Sequence, residues 1–492
     1  MKPTPRIPCA SLTALTLMAA CQLSPHPLAN DAGDADAKAK SPGERDGGAP
    51  TSDAGSAVDA AAVQRLVWRS GQRLKARTTV SPEGEKLLTG WWDKGVDRDC
   101  RFVRTDNDRY ACVSLDATTS GPAPEQGWFA DAACTQPILV TSRILSGIES
   151  EVVAVPKPTC SSVYQFFKIG KALATTDVYF AYSRTNCSKV STPARSKAFE
   201  LGESVPADRH FVTATVDVGK AQSGLAPVQL KGEDGSVVLW GFHDVVNDVR
   251  CSFRLTSDGE HRCTPDVVGA SSVSFSDASC TNRQAVVSSA NECDVKTKFI
   301  NQTIPKTCPL QTDTHRNAGF SAVSYGMRGG MCTEDTSMLY QRLLVGEKVP
   351  LTDFIAGKVT TSSQSARLRL RELTSAVGSL GLEFFDSMLG ETCRFGTTAD
   401  GIDRCLPGQT PVSDAFADAA CTKPAYGLTT CQRNFIKVDG RVFRTGTSVA
   451  EPYAKDAMGV CQRRTDESRD YFELGAAVPL TDLVPLRQTL ED

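Results

Sequence analysis

A short phrase written three times constrains this chain more than any other feature. It reads Phe129-Ala-Asp-Ala-Ala-Cys134-Thr-Gln-Pro137, then Phe275-Ser-Asp-Ala-Ser-Cys280-Thr, then Phe416-Ala-Asp-Ala-Ala-Cys421-Thr-Lys-Pro424. Upstream of each copy stands a pair of cysteines with eleven residues between its members: Cys100 and Cys112, Cys251 and Cys263, Cys393 and Cys405. Independent markers that recur together, at a spacing of about 145 residues, define a repeated structural unit. The copies are placed at residues 65–210, 211–355 and 356–492.

Other marks follow in the same order. An aromatic pair or near-pair precedes an Asp in Trp91-Trp92-Asp93, Phe242-His243-Asp244 and Phe384-Phe385-Asp386. Seven residues beyond that Asp comes Cys-x-Phe, at Cys100, Cys251 and Cys393. Asp258-Gly259 and Asp400-Gly401 then mark a hairpin turn midway between the paired cysteines. A symmetric hairpin would set each pair directly opposite, close enough for a disulfide. Each copy ends with Gly, two further residues and then Val-Pro (Val205-Pro206, Val349-Pro350, Val478-Pro479), the signature of a strand exit.

With 492 residues, two to four modules or one large repeat fold are expected. Amphipathic helical runs are scarce, while short alternating runs rich in Val, Thr, Ser and Gly are common, so the expected class is all-β. Each copy has room for about seven or eight strands. Two four-stranded meanders per copy would make a six-bladed β-propeller. Three tandem β-sandwich or barrel domains are the alternative.

The first twenty residues read as an export signal. Lys2 and Arg6 precede a short apolar stretch that ends in Met18-Ala-Ala-Cys21. This resembles a bacterial lipoprotein leader, with Cys21 as the lipidated residue and Gln22 after it favouring sorting to the outer membrane. Cutting near Ala20 without lipidation would secrete the protein instead. Residues 21–62 are rich in Ala, Gly, Asp and Pro, which suits a disordered tether rather than a core. A net charge of −3 offers no reason to invoke a nucleic-acid partner, and leaves the membrane reached through the lipid only.

Sixteen cysteines remain after Cys9 and Cys21 are set aside, and an even number in an exported chain implies a disulfide framework. Cys100–Cys112, Cys251–Cys263 and Cys393–Cys405 are the expected hairpin staples. Cys421–Cys431 is the next local pair, with Cys134–Cys160 as its counterpart and Cys280 pairing with Cys293 or Cys308. Cys187, Cys293, Cys332 and Cys461 are left open. If Cys308 takes Cys332, a Cys187–Cys461 bridge would close the first copy on the last. No Cys-x-x-Cys is present, and no His stands in a recurrent cysteine cluster, so zinc and other cofactors are not expected.

No catalytic motif is found around His26, His210, His243, His261 or His315, and no nucleophile elbow or phosphate-binding glycine run occurs. The most suggestive polar set is Asp93, Asp244 and Asp386, three equivalent carboxylates that a cation or basic ligand would suit. A strand-end Asp capping backbone donors is the plainer reading, and it applies equally to Asp131, Asp277 and Asp418. Trp91, Trp92, Phe242, Phe384 and Phe385 suit either a ligand platform or, more simply, the core.

Taken together, aromatic-Asp, Cys-x-Phe, Asp-Gly, Phe-x-Asp-Ala-x-Cys-Thr and Gly-x-x-Val-Pro behind a lipoprotein leader resemble the cysteine-rich repeat lipoproteins of myxobacterial type. The resemblance covers nearly the whole chain and implies no known activity. The expected function is a lipid-anchored binding or interaction module of the cell envelope that engages a protein or glycan. An extracytoplasmic hydrolase or lyase acting on envelope or external polymers is the alternative.

Overall fold

The computed structural model describes residues 68–105, 109–114, 127–141, 152–157, 160–173, 178–183, 186–190, 196–267, 270–288, 297–304, 307, 309–321, 323–328, 331–335, 340–362, 366–411, 413–428, 434–455, 459–464 and 469–492. The export signal, Cys21, the tether, Cys293, Cys308 and Cys431 lie outside the described residues. The described chain is all-β, 64% strand and 3% helix. Its strands form sheets of nineteen, three, seven and seven members, in place of six sets of four, and none closes into a barrel.

The first half of each copy is an antiparallel meander, five strands long in the second and third copies. In the second copy these are Thr213–Val218, Leu225–Gly232, Val237–Asp244, Val249–Leu255 and His261–Pro265. In the third copy they are Ala356–Thr361, Leu368–Ser375, Gly378–Asp386, Glu391–Thr397 and Asp403–Pro407. The first copy supplies only Leu74–Val80, Lys86–Asp93, Arg98–Thr105 and Tyr110–Ser114. Its missing member is Arg487–Leu490, which pairs antiparallel with Leu74–Val80 from Arg77↔Leu490 to Val80↔Arg487. The sequence copies are therefore offset by one strand from the units that fold.

These meanders connect head to tail. Thr213 and Ala214 pair with Ala111 and Tyr110, and Ala356 and Gly357 pair with Arg262 and His261. A bridge from Arg404 to Pro485, just before Arg487–Leu490, makes the third connection. Side chains follow the same cycle. Leu230, Val238 and Trp240 of the second copy pack on the first copy's core of Leu74, Trp91, Phe102 and the Cys100–Cys112 bridge. Val377 and Leu380 pack on the second copy's core, and Leu87 of the first copy packs on the third copy's. Apolar surface is buried between neighbouring copies, so three separate tandem cores do not describe the molecule.

Cysteine and phenylalanine two positions apart in a strand share one face. Cys100, Cys251 and Cys393 accordingly point into the core beside Phe102, Phe253 and Phe395, and Trp91, Phe242 and Phe384 lie opposite them across the ladder. The structure joins Cys100 to Cys112, Cys251 to Cys263 and Cys393 to Cys405, with Cα atoms 5.3, 5.1 and 5.2 Å apart. The paired residues are not directly opposite, however. Cys112, Cys263 and Cys405 face Phe102, Phe253 and Phe395, so each bridge runs along a diagonal. The hairpins turn one residue later than symmetry about the cysteines requires. A Thr hydroxyl (Thr105, Thr256, Thr398) fixes the turn by donating to the carbonyl four residues on.

The second half of each copy is also antiparallel, with seven strands. In the second copy the order across the sheet is Phe299–Ile304, Gln311–Phe320, Tyr340–Lys348, Arg283–Ser288, Ala270–Phe275, Tyr325–Arg328 and Met331–Glu334. The third copy repeats this order from Phe435–Val438 to Cys461–Arg463. In the first copy the corresponding strands divide between the large sheet and the three-stranded one of Gly127–Phe129, Val178–Ser183 and Asn186–Val190.

Four expected cysteine pairings are corrected here. Cys134 bonds Cys187 rather than Cys160, Cys280 bonds Cys332 rather than Cys293 or Cys308, and Cys421 bonds Cys461 rather than Cys431. The proposed Cys187–Cys461 link between first and last copies falls with them. The physical reason is strand pairing: Phe129, Phe275 and Phe416 lie opposite Tyr179, Tyr325 and Tyr453. This register carries the following hairpin back across the repeated phrase. Closure of first copy on last is made by a strand, not by a disulfide.

Candidate functional site

Asp93, Asp244 and Asp386 end their strands wholly buried, each opposite a leucine (Leu74, Leu225, Leu368). Asp93 accepts from Arg73 Nε at 2.6 Å and Nη2 at 2.8 Å, and from the Gly95 amide at 2.8 Å. Arg73 also donates to the His210 carbonyl at the end of the short 3-10 turn Ala207–Arg209. Asp386 repeats the pattern with Arg367, at 3.1 and 2.9 Å, and Arg367 reaches the Asp482 carbonyl. In the second copy the arginine's place is taken by Gly224. Asn247 substitutes for it, donating at 2.8 Å to Asp244 and at 3.3 Å to the Asp353 carbonyl. Each carboxylate ties the beginning of its own copy to the end. Its oxygens are turned to these donors rather than to an open surface.

The repeated phrase forms a second constellation at the surface. Asp131 accepts from the Thr135 amide, the Thr135 hydroxyl and the Gln136 amide at 3.0, 2.8 and 2.7 Å. Asp277 does the same with Thr281 and Asn282, and Asp418 with Thr422 and Lys423. Inside the loop so capped, Cys134, Cys280 and Cys421 adopt φ of +52°, +54° and +52°. Non-glycine residues adopt this conformation only where the surroundings hold it. The order of residues is now explained: Asp supplies the acceptor, Thr the returning donor, and the strained Cys is held by its disulfide.

These hydrogen bonds hold the three carboxyls below the usual aspartate range. Burial works against the shift at Asp131, but the Gln136 and Thr135 donors outweigh it. At Asp277 the Ser279 and Thr281 hydroxyls lead, and at Asp418 the Thr422 hydroxyl and Lys423 amide. All three carboxylates are structural acceptors already engaged in their loops.

What the loops fasten is the outermost strand of each second-half sheet. Met331–Glu334 and Cys461–Arg463 are last in their sheets, and Cys332 and Cys461 rivet them to the Asp-capped loops. The riveted strands present different side chains. In the second copy Met331 (68% exposed), Thr333 and Glu334 face solvent; in the third, Gln462 and Arg463 do, beside Val460 (53% exposed). The candidate site is this set of clasped edges. Sequence reasoning missed it because the partners Cys187, Cys332 and Cys461 lie 53, 52 and 40 residues downstream, where only the register of a sheet can place them. Arg73 and Arg367 were missed for the same reason, since they lie 20 and 19 residues before Asp93 and Asp386.

Of the aromatic candidates, Trp91, Phe242 and Phe384 are core residues. Trp92 is only partly buried and lies under the Arg77 guanidinium, 4.9 Å from its ring centroid. Among the described residues no group of three or more His, Cys, Asp or Glu converges as a metal site, and no helix is long and apolar enough to cross a membrane.

No curated protein and no solved structure matches the chain. Residues 51–306, more than half of the sequence and spanning the first copy and much of the second, match a family of unknown function, DUF7481, to which the chain therefore belongs.

Proposed function

We propose that this protein is an exported, lipid-anchored binding module of the cell envelope, in which a disulfide-stapled β scaffold presents clasped strand edges to a protein or glycan. One observation carries the reading: the clasp of Asp, Thr and disulfide is the same in the second and third copies, while the exposed side chains it displays are not. A constant frame with changing contact residues suits recognition, whereas a repeated catalytic centre would hold its functional groups constant and change its frame. An exposed edge strand also offers backbone donors and acceptors for an added strand, with side chains setting specificity. Six disulfides among the described residues support an oxidising compartment outside the cytoplasm. Cys21 is the residue proposed to carry the lipid.

Two measurements test this. Fractionation should find the protein with outer membranes and Cys21→Ala in the soluble fraction; an unchanged distribution removes the anchor from the reading. The oxidised protein should retain peptides or glycans on an array, and Glu334→Pro together with Arg463→Pro, which remove edge amides that face away from the neighbouring strand, should reduce that retention. Turnover of an envelope polymer with no retained ligand would replace the binding reading with the hydrolase or lyase one.

A further inference from the structure

Three copies in one chain serve as controls for one another, and a place where only one departs points to something beyond the scaffold. The clearest departure lies where the first copy meets the second. Each long hairpin of the meanders contains one residue bulged out of register, next to a glycine: Thr89, Trp240 and Leu382. The residue before the first staple cysteine is Asp99, Arg250 or Thr392. Only the second copy thus combines an indole with a guanidinium, and it does so against the first copy's Tyr110, whose ring lies 5.5 Å from that of Trp240.

Arg250 is poorly matched by acceptors. Its Nη2 donates to the Trp240 carbonyl at a long 3.4 Å, and its Nε is sealed from solvent without an acceptor. Nη1 has no acceptor among the described residues. The nearby carboxylate, Asp266, is only 6% exposed and is engaged by Arg254 at 2.9 Å. Burial pushes the Arg250 pKa below its ordinary value, partly offset by Tyr110 and Asp266, and the Arg104 guanidinium adds to the depression. The indole N–H of Trp240 is likewise without an acceptor. A partly buried cation whose nearby carboxylate is already engaged is costly unless another anion joins it.

We propose that the junction of the first two copies binds an oxyanion group, a carboxylate, sulfate or phosphate, with the Arg250 guanidinium as its cationic anchor and Tyr110 and Trp240 as the adjoining wall. Guanidinium groups suit such ligands because their planar donors match paired oxygens. The third copy, with Thr392 and Leu382 at these positions, has no equivalent, so one such group binds per chain. This site is separate from the clasped edges and does not depend on them.

The test is calorimetric titration of the intact oxidised protein with sodium sulfate, phosphate and acetate at ionic strength held constant with chloride. Saturable binding of one oxyanion per chain is expected, and the three salts distinguish which group is preferred. Arg250→Met should weaken it by about tenfold or more, as loss of a charge-assisted hydrogen bond does, while Arg394→Met, an exposed arginine of the third copy, should leave it unchanged. Arg250→Lys, which keeps the charge, should retain part of the affinity and guards against misfolding of the methionine variant. No saturable heat with wild type, an equal response to chloride, or undiminished binding by a folded Arg250→Met protein overturns the proposal.

Discussion

The two halves of each copy use the same chemical devices to opposite ends. In the meander half, the paired cysteines are buried, twelve residues apart, and packed among aromatic rings. The carboxylate of that half is buried as well, matched to an arginine or asparagine. In the second half, the disulfides span 40 to 53 residues, most of their cysteines are partly exposed, and the aspartates sit in surface loops. A chain-entropy estimate assigns about 3 kcal/mol to the short bridges and about 4 kcal/mol to the long ones. The bridges are of similar worth, then, but one kind holds layers of core together and the other holds a surface strand in place. Burial, not cross-linking strength, separates framework from display.

The comparison breaks first if the buried half tolerates loss of a partner. Arg367→Met leaves Asp386 buried without its counter-ion, and urea unfolding should show a loss of about 3–5 kcal/mol. A loss under about 1 kcal/mol would mean that the carboxylate is not the knot described. Next in size, Cys280→Ser with Cys332→Ser should cost about 2–4 kcal/mol. Hydrogen exchange should place the loosening in Ala270–Phe275 and Tyr325–Glu334, and exchange spreading through the meanders would erase the distinction.

A smaller effect follows from access to solvent. Under mild reductant, mass spectrometry should find Cys332 and Cys461 alkylated before Cys251, Cys263, Cys393 and Cys405; simultaneous labelling would show that the halves open together. The smallest effect is that of pH. The carboxyls of Asp131, Asp277 and Asp418 have folded pKa values below their unfolded ones. Their stabilisation is therefore complete above the unfolded value, about 3.9, and is lost as pH falls towards the folded one. Amides of Thr135, Thr281 and Thr422 should lose exchange protection below about pH 4 before amides of the meanders do. Protection that is flat with pH would remove the carboxylates from the clasp.

The meander half was legible in the sequence because its contacts are local. Cys-x-Phe, Asp-Gly and an eleven-residue gap place both sides of a hairpin within a few residues, and only the exact turn residue escaped, since a one-residue shift converts opposite cysteines into diagonal ones. The clasp was half legible. Asp131, Asp277 and Asp418 read correctly as caps because their partners lie four and five residues on. Cys187, Cys332 and Cys461 did not, because proximity in sequence favours Cys431 over Cys461 and only the pairing of Phe416 with Tyr453 overrules it. The paired Arg73 and Asp93 illustrate the same limit, since nothing local connects an arginine before one strand to a carboxylate ending the next.

The strand Arg487–Leu490 bears on how the chain is made. Its partners Arg77 and Thr78 lie 411 residues earlier. A contact of that span forms late and raises the contact order of the whole molecule. If the chain crosses a membrane from its amino end, the first meander emerges with the flank of Leu74–Val80 bare, and it waits in that state through the arrival of two further copies. The buried staples within each hairpin can form as they emerge, which preserves each meander locally during the wait. Completion of the first meander is thus timed by the arrival of Arg487–Leu490.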